Sequence, residues 1–163
     1  MHIQLKNNKI LFNEYKVKCA VGKRGISVKR KEGDKITPRG TFSIKYVLFR
    51  KDRVQNLKTF LKKIVIKKNM GWCNDPKSRF YNKLIKFPFL FNAERLYLKS
   101  NIYDIIVVID FNMNPIIKKR GSAIFLHIAK QQYKKTDGCI AITKKDMKLL
   151  LTKLNNKSKL IIY

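Results

Sequence analysis

The sequence contains no long hydrophobic run. Its longest strongly apolar segments, Ile105 to Ile109 and Ala123 to Leu126, fall far short of the roughly 20 residues that a membrane-spanning helix requires. Residues 1–9 also lack the continuous apolar stretch and the small-residue cleavage site of a signal peptide. We therefore expect no membrane span, and the sequence shows no route of export.

Acidic residues are scarce. The chain has 10 Asp and Glu against 38 Lys and Arg, which gives a net charge of +28. Such a chain attracts any polyanion, so nucleic acid and the carboxylate-bearing cell wall are both candidate partners. The lysines are spread from Lys6 to Lys159 and no nucleic-acid-binding motif is present. This pattern favours a solvated lysine-rich surface and predicts no specific nucleic acid partner.

The chain has few cysteines, and their spacing does not suit a metal site. The three cysteines, Cys19, Cys73 and Cys139, form no C-x-x-C pair and have no Cys/His spacing typical of zinc. The sequence therefore predicts neither a metal site nor another cofactor. An odd number of cysteines leaves at least one thiol unpaired, which accommodates one reactive cysteine.

The chain has the size and composition of one domain. Its 163 residues, 45% of them hydrophobic, are enough to bury a substantial core within a single domain over residues 1–163. Short β-branched and aromatic clusters between turn residues predict a mainly β fold. The predicted strands are 10–21, 41–49, 103–110, 121–127 and 159–163, and residues 93–97 are interpreted as a helical turn.

One substantial helix is predicted from Lys144 to Leu154. Thr143 is a suitable N-cap residue, and Asp146 stands three positions later, as in a capping box. The apolar residues at helical spacing are Met147, Leu150, Leu151 and Leu154.

His127 and Cys139 are the strongest candidates for catalytic residues. The histidine ends one apolar segment and the cysteine begins the next. A chain that turns back between them can bring imidazole and thiol within hydrogen-bonding reach, as a base and its nucleophile require. A neighbouring imidazolium would then lower the thiol's pKa below its usual value. A buried histidine beside a structural cysteine fits the same spacing, so the pattern alone leaves both interpretations open.

The residues around this pair suggest how such a site would work. Gly138 lets the backbone approach closely, and the amides of Gly138 and Cys139 are placed to face a developing oxyanion. The second ring nitrogen of His127 needs an orienting acceptor, which we expect to be a backbone carbonyl.

Several segments, in the same order, resemble one family. His127 followed by Thr136-Asp137-Gly138-Cys139 resembles the histidine and the serine/threonine-histidine-glycine-cysteine signature of L,D-transpeptidase (YkuD-like) catalytic domains. Residues 33–42 look like the family's glycine-aspartate and threonine-proline-x-glycine-x-phenylalanine stretch. Residues 71–76, 81–82 and 121–125 resemble segments of a compact, single-domain subfamily, so the resemblance covers residues 17–151.

The resemblance implies a β-sandwich or barrel and a bacterial acyltransferase of peptidoglycan biosynthesis, which supports cell shape from the periplasm or cell envelope. Its partners would be peptidoglycan stem peptides. Cys139 would attack the amide carbonyl after an L-centre of a stem tetrapeptide, release D-alanine and form a thioester. An amine of a second stem would resolve the thioester, with His127 as general base and acid.

Three departures from the family pattern lie near the nucleophile. Asp137 replaces the usual histidine, the loop between His127 and Thr136 is shorter than in common members, and Ala141 stands where asparagine or arginine often follows. Asp137 is interpreted either as a ligand for a cationic acceptor amine or as a cap of the turn. Substrate choice is the property that these changes affect most.

Other residues are assigned by their place in the matched segments. Thr136, Asp137 and Gly138 are expected to bind substrate beside the nucleophile. The rival nucleophile Cys73 has no adjacent histidine, and Ser122 is interpreted as structural because ideal strand alternation places it opposite His127. Residues expected to edge the substrate cleft, with a packed aromatic turn as the alternative, are Trp72, Asp75 and Tyr81.

Two other functions remain open from sequence. If water replaces the acceptor amine, the protein is an L,D-carboxypeptidase or a hydrolase of cell-wall peptides. The charge of +28 also fits a basic nucleic-acid-binding module without enzymatic activity. Nothing in the sequence indicates an oligomeric state.

Overall fold

The computed structural model describes residues 1–163 and confirms a mainly β fold with one substantial helix. No helix is both long enough and apolar enough to cross a membrane. The helix, α1, is Lys144–Leu151. The strands are β1 His2–Lys6, β2 Lys9–Phe12, β3 Tyr15–Lys18, β4 Ile26–Ser27, β5 Thr37–Pro38, β6 Gly40–Phe49, β7 Lys63–Val65, β8 Met70–Cys73, β9 Leu84–Lys86, β10 Ala93–Arg95, β11 Ile105–Ile109, β12 Phe125–Ile128, β13 Ile140–Ile142 and β14 Lys159–Ile162.

One large sheet curls almost into a barrel. Its strands follow the order β13-β12-β11-β6-β14-β1-β2-β3, and β7 pairs with β6. Beyond β3, Ala20 and Ala141 exchange two backbone hydrogen bonds of 2.8 and 2.9 Å, so the two ends of the sheet meet. The result is the barrel-like form that the resemblance implied. Smaller sheets, β10-β8-β9 and β4-β5, complete the fold.

The large sheet separates two hydrophobic clusters, which we call the large core and the small core. The large core contains 28 buried residues and the small core contains 9. Successive strand residues point to opposite faces, so Leu126 of β12 enters the large core and Phe125 enters the small one. His127, two residues after Phe125, shares the face of the small core. Along β11 the large core receives Ile105, Val107 and Ile109, and the small core receives Ile106 and Val108.

The helix begins where the sequence predicts. The Thr143 hydroxyl accepts a hydrogen bond from the Asp146 backbone N–H at 3.1 Å, which satisfies one free donor of the first turn. Helix α1 ends at Leu151, three residues earlier than expected, and the Thr152 hydroxyl donates to the Leu149 carbonyl at 2.7 Å. Leu154 is still buried in the large core, outside the helix.

Two predictions about local structure are wrong. Residues 93–97 do not form a helical turn, because Ala93, Glu94 and Arg95 pair with β8 as strand β10. Tertiary pairing overrides their helical propensity here. Residues 10–21 are not one strand but the hairpin β2-β3, and the turn places Asn13 at a φ of 47°.

Candidate active site

The parallel strands β12 and β13 bring His127 and Cys139 to the same region of the fold. His127 of β12 pairs with Ala141 of β13, and Leu126 pairs with Ile140. The chain therefore crosses over between the two strands, whereas the sequence argument assumed that it simply turns back. Cys139 directly precedes β13 and lies beside Phe125. Both residues line one cavity of about 560 Å³.

The thiol of Cys139 is held by two backbone groups. Its Sγ donates to the Ala123 carbonyl at 3.0 Å and accepts from the Phe125 N–H at 3.3 Å. Ala123 has a φ of 51°, so the chain turns sharply just before β12 and presents this carbonyl to the sulfur. Cys139 is half-buried and packs against the small core. The thiol is thus fixed in position, and it donates its proton to the Ala123 carbonyl and not to His127.

The imidazole of His127 is oriented as the sequence argument expected. Its Nδ1 lies 2.9 Å from the Ile128 carbonyl oxygen, which can only accept, so we assign the proton to Nδ1. Nε2 has no partner in the chain and carries the free lone pair. The ring of Tyr103 meets the imidazole edge to face, with centroids 5.4 Å apart. These contacts leave Nε2 available as a base.

The thiol and imidazole are both neutral at rest. Burial raises the pKa of the Cys139 thiol to about 12, and the nearby negative charges of Glu94 and Asp137 act in the same direction. Burial lowers the pKa of His127 to about 4. The structure therefore differs from the sequence-based expectation of a thiol acidified by an imidazolium, because desolvation disfavours both charged forms.

Hydroxyl groups fix the backbone before Cys139. The Thr136 hydroxyl donates to the Cys139 carbonyl at 2.5 Å and accepts from the Gly138 N–H at 3.1 Å. The Thr37 hydroxyl donates to the Gly138 carbonyl at 2.8 Å and accepts from the Gly22 N–H at 2.8 Å. Thr37 belongs to the threonine-proline-x-glycine stretch, so these contacts place that motif beside Cys139.

The backbone conformation at Gly138 requires glycine. Its φ is +139°, which side chains rarely permit, and a Cβ there would lie 3.0 Å from the Ile36 carbonyl oxygen. Its N–H is already bound by Thr136, so it is not free for an oxyanion as the sequence suggested. The Cys139 N–H has no acceptor in the chain, and it remains available for that purpose.

Asp137 makes no hydrogen bond that caps the turn, and its role as a ligand for an acceptor amine stays a prediction. Its carboxylate lies 2.9 Å from Lys23 Nζ at the cavity wall, with side chains 73% and 53% exposed, respectively. The hydrogen bond from Lys23 lowers the pKa of Asp137. An exposed pair of this kind contributes little to stability. Asp137 thus lines the cavity as a carboxylate that is paired with Lys23.

The residues expected to edge the cleft divide into three environments. Trp72 is buried against Phe125 in the small core, away from the cavity lining. Asp75 accepts backbone N–H bonds from Lys77 and Asn92 and also lies outside the lining. Tyr81 is buried, but its hydroxyl donates to the cavity residue Glu32 at 2.5 Å.

Cys139 is the one cysteine of the three that lines the cavity. Cys73 is fully buried in β8, where its sulfur lies 4.0 Å from the Asp75 carbonyl. Cys19 is buried in the large core, and this burial raises its pKa to about 12.

Sequence reasoning missed three residues of the cavity region, Tyr103, Glu94 and Glu32, and interpreted a fourth, Ser122, as structural. Tyr103 donates to Glu94 Oε1 at 2.5 Å, and Ser122 donates to Glu32 Oε2 at 2.8 Å. Ser122 reaches the cavity because β12 begins only at Phe125, so the alternation invoked for it does not extend that far. Single acidic residues outside a motif give no spacing signal, which explains why Glu32 and Glu94 escaped notice.

The geometry agrees with the comparison to known families. No curated protein gave a match. The family model of the L,D-transpeptidase catalytic domain, YkuD, matches residues 2–162, almost the whole chain. With this match added to the barrel-like sheet and the cavity that joins His127 to Cys139, the chain belongs to the L,D-transpeptidase catalytic-domain family.

Proposed function

We propose that the protein is a cysteine-dependent L,D-transpeptidase that acts on peptidoglycan stem peptides through a thioester. The observation that carries the proposal is the placement of the Cys139 thiol and the unpartnered Nε2 of His127 in one cavity. Family membership supports the substrate class and an action in the cell envelope. The whole reaction is assigned to the single domain formed by residues 1–163.

Acylation begins when the thiol proton leaves the Ala123 carbonyl and passes to His127 Nε2. The sulfur then forms a bond to the substrate's amide carbon, and the carbonyl oxygen becomes an oxyanion that the Cys139 N–H can stabilise. When the intermediate collapses, the C–N bond breaks and His127 returns the proton to the departing D-alanine amine. The product on the enzyme is a thioester at Cys139.

Deacylation reverses the direction of proton transfer. An acceptor amine attacks the thioester carbon while His127 Nε2 removes its proton. The C–S bond then breaks, and the thiolate recovers the proton from His127. Because the resting pair is neutral, each half-reaction begins and ends without separated charges in the buried site.

The decisive assay combines the purified protein with tetrapeptide muropeptides and reads the products by mass. We expect crosslinked dimers, together with release of D-alanine. Release of D-alanine without dimers would assign the carboxypeptidase function instead. Cys139→Ala should abolish both products, whereas Cys73→Ala, which removes a thiol outside the cavity, should retain them. Turnover that survives in Cys139→Ala would contradict the proposal.

A further inference from the structure

The cavity contains two carboxylates that no cation neutralises. Its acidic residues are Glu32, Glu94 and Asp137. Asp137 is paired with Lys23, but neither Glu32 nor Glu94 has a lysine or arginine within 4.0 Å. This is unexpected in a chain with 38 basic residues, five of which line the same cavity.

Glu94 is held in place by a buried phenol. It lies on β10, and its Oε1 accepts the Tyr103 hydroxyl at 2.5 Å, while its Oε2 has no donor in the chain. Tyr103 also meets the imidazole of His127 edge to face, so one side chain separates Glu94 from that ring. Burial raises the pKa of Cys139, and the charge of Glu94 acts in the same direction. One fixed oxygen and one free oxygen make Glu94 a ready acceptor for a ligand.

Glu32 repeats this arrangement from another part of the chain. Its Oε2 accepts the Tyr81 hydroxyl at 2.5 Å and the Ser122 hydroxyl at 2.8 Å, and its Oε1 has no donor. Burial, together with the negative charges of Asp137 and Glu32, raises the pKa of Glu94. Ser122, which donates to Glu32, directly precedes Ala123, whose carbonyl accepts the Cys139 thiol, so Glu32 is linked to the surroundings of Cys139. Two like charges near each other are stabilised by a cation between or beside them.

An independent feature points to a ligand in this cavity. His127 is 7% exposed, and its Nε2 faces the cavity without a partner. A substrate that brings its reacting carbonyl to Cys139 and His127 therefore occupies the cavity that Glu32 and Glu94 also line.

The lysines of the cavity are disposed so as to orient such a ligand. Lys29 is taken by Asp34 in a buried pair, and Lys23 is taken by Asp137. The other three, Lys130, Lys134 and Lys135, all come from the loop that follows β12. Because these lysines repel an ammonium group, they leave Glu32 and Glu94 as the place for it.

We propose that Glu94, together with Glu32, forms a subsite that binds an ammonium group of the substrate. The inference rests on the proposed function for the reaction, and it adds that the enzyme selects a cationic peptide. The ammonium belongs either to the acyl donor or to the acceptor, since both meet at Cys139. A charge-assisted hydrogen bond of this kind corresponds to a preference of about 10- to 100-fold.

The test compares substrates that differ in one charge. The donor pair is a tetrapeptide with lysine or with norleucine as its third residue. The acceptor pair is D-lysine or D-norleucine, and only products joined through the α-amine are counted. We expect the wild type to prefer lysine over norleucine in kcat/KM in one of these pairs, and the pair that shows the preference identifies the source of the ammonium.

Variants then locate the preference. Glu94→Gln should reduce the ratio of kcat/KM for lysine to kcat/KM for norleucine to near unity, and Glu32→Gln should reduce this ratio less. Glu14→Gln removes the same charge at an exposed site outside the cavity, so it should leave the preference unchanged. Equal use of lysine and norleucine by the wild type in both pairs would overturn the subsite.

A binding measurement separates this inference from the proposed function. Cys139→Ala cannot form the thioester, so the affinities of the lysine and norleucine tetrapeptides and of the two D-amino acids are measured on it directly. A preference for lysine that disappears in Cys139→Ala/Glu94→Gln supports the subsite even if the wild type shows no turnover. Absence of any lysine preference in binding and in turnover would refute the subsite, whatever the reaction proves to be.

Discussion

On one face of β12 and β13 lie Leu126, Ile128, Ile140 and Ile142, all within the large core. On the other face lie Phe125 and His127, with Cys139 beside them. Neighbouring residues of the same strand therefore have different roles. Side chains on one face bury apolar surface in the core, and side chains on the other face line a cavity with polar groups. The difference teaches that stability and chemistry can be altered separately here, and residues one position apart provide the test.

The largest effect is expected at the nucleophile. Cys139→Ala should abolish turnover of muropeptides because no other thiol lines the cavity, while thermal unfolding changes little. In the wild type, a thiol-acylating carbapenem should add at Cys139 before Cys19 or Cys73, as read by peptide mapping. Preferential labelling of Cys73 would reassign the nucleophile.

The base on the same face should come next. His127→Ala should lower kcat by about 10²- to 10⁴-fold, the usual range for loss of a general base. Circular dichroism alongside the kinetic assay checks that the variant folds. Near-normal turnover in a folded His127→Ala would remove His127 from the mechanism.

The adjacent residue should behave in the opposite way. Leu126→Ala deletes a fully buried side chain of the large core and should lower the free energy of unfolding by about 2–5 kcal/mol. Denaturant titration measures this loss, and kcat at a temperature where the variant stays folded should remain near the wild-type value. A selective loss of kcat without a loss of stability would show that the two faces are not independent.

The pH dependence of stability should be smaller and should follow the functional face. His127 has a pKa lowered from 6.5 to about 4. The unfolded chain therefore takes up a proton first, and stability present above pH 6.5 is lost as the pH falls toward about 4. Thermal midpoints measured across this window should fall less in His127→Ala than in the wild type. Identical pH profiles would mean that His127 is not buried as a neutral group.

The smallest effect is expected from the overall charge. With a net charge of +28, the protein should bind duplex and single-stranded nucleic acid weakly, without selectivity and with affinity falling steeply between about 50 and 200 mM salt. Cys139→Ala should bind in the same way. Tight selective binding near physiological salt, with no turnover of muropeptides, would favour the nucleic-acid-binding alternative.

The sequence predicts those parts of the fold that depend on residues close together in the chain. The cap at Thr143 and the strand Gly40–Phe49 follow from local residue patterns, and both are present as expected. Residues 93–97 were misassigned because their conformation is set by pairing with β8. The pairing of residues far apart in sequence leaves no local trace.

The same distinction applies to the candidate site. Cys139, His127 and the backbone acceptor for the imidazole follow from motif and chemistry. The neutral state of the pair depends on burial, and the contact of Tyr103 with both His127 and Glu94 depends on packing across the small core. Neither property has a sequence pattern, because each arises from atoms that the fold brings together.

The two hydrogen bonds between Ala20 and Ala141 also determine how a peptide can approach the nucleophile. Strand β13 pairs with β12 on one side and with Ala20 on the other, so it presents no open edge at Ala141. Strand addition, by which many proteins capture extended peptides, needs such an edge. A peptide that reaches Cys139 must therefore enter through the cavity and be recognised by side chains and loop amides, so specificity resides in the residues that line it.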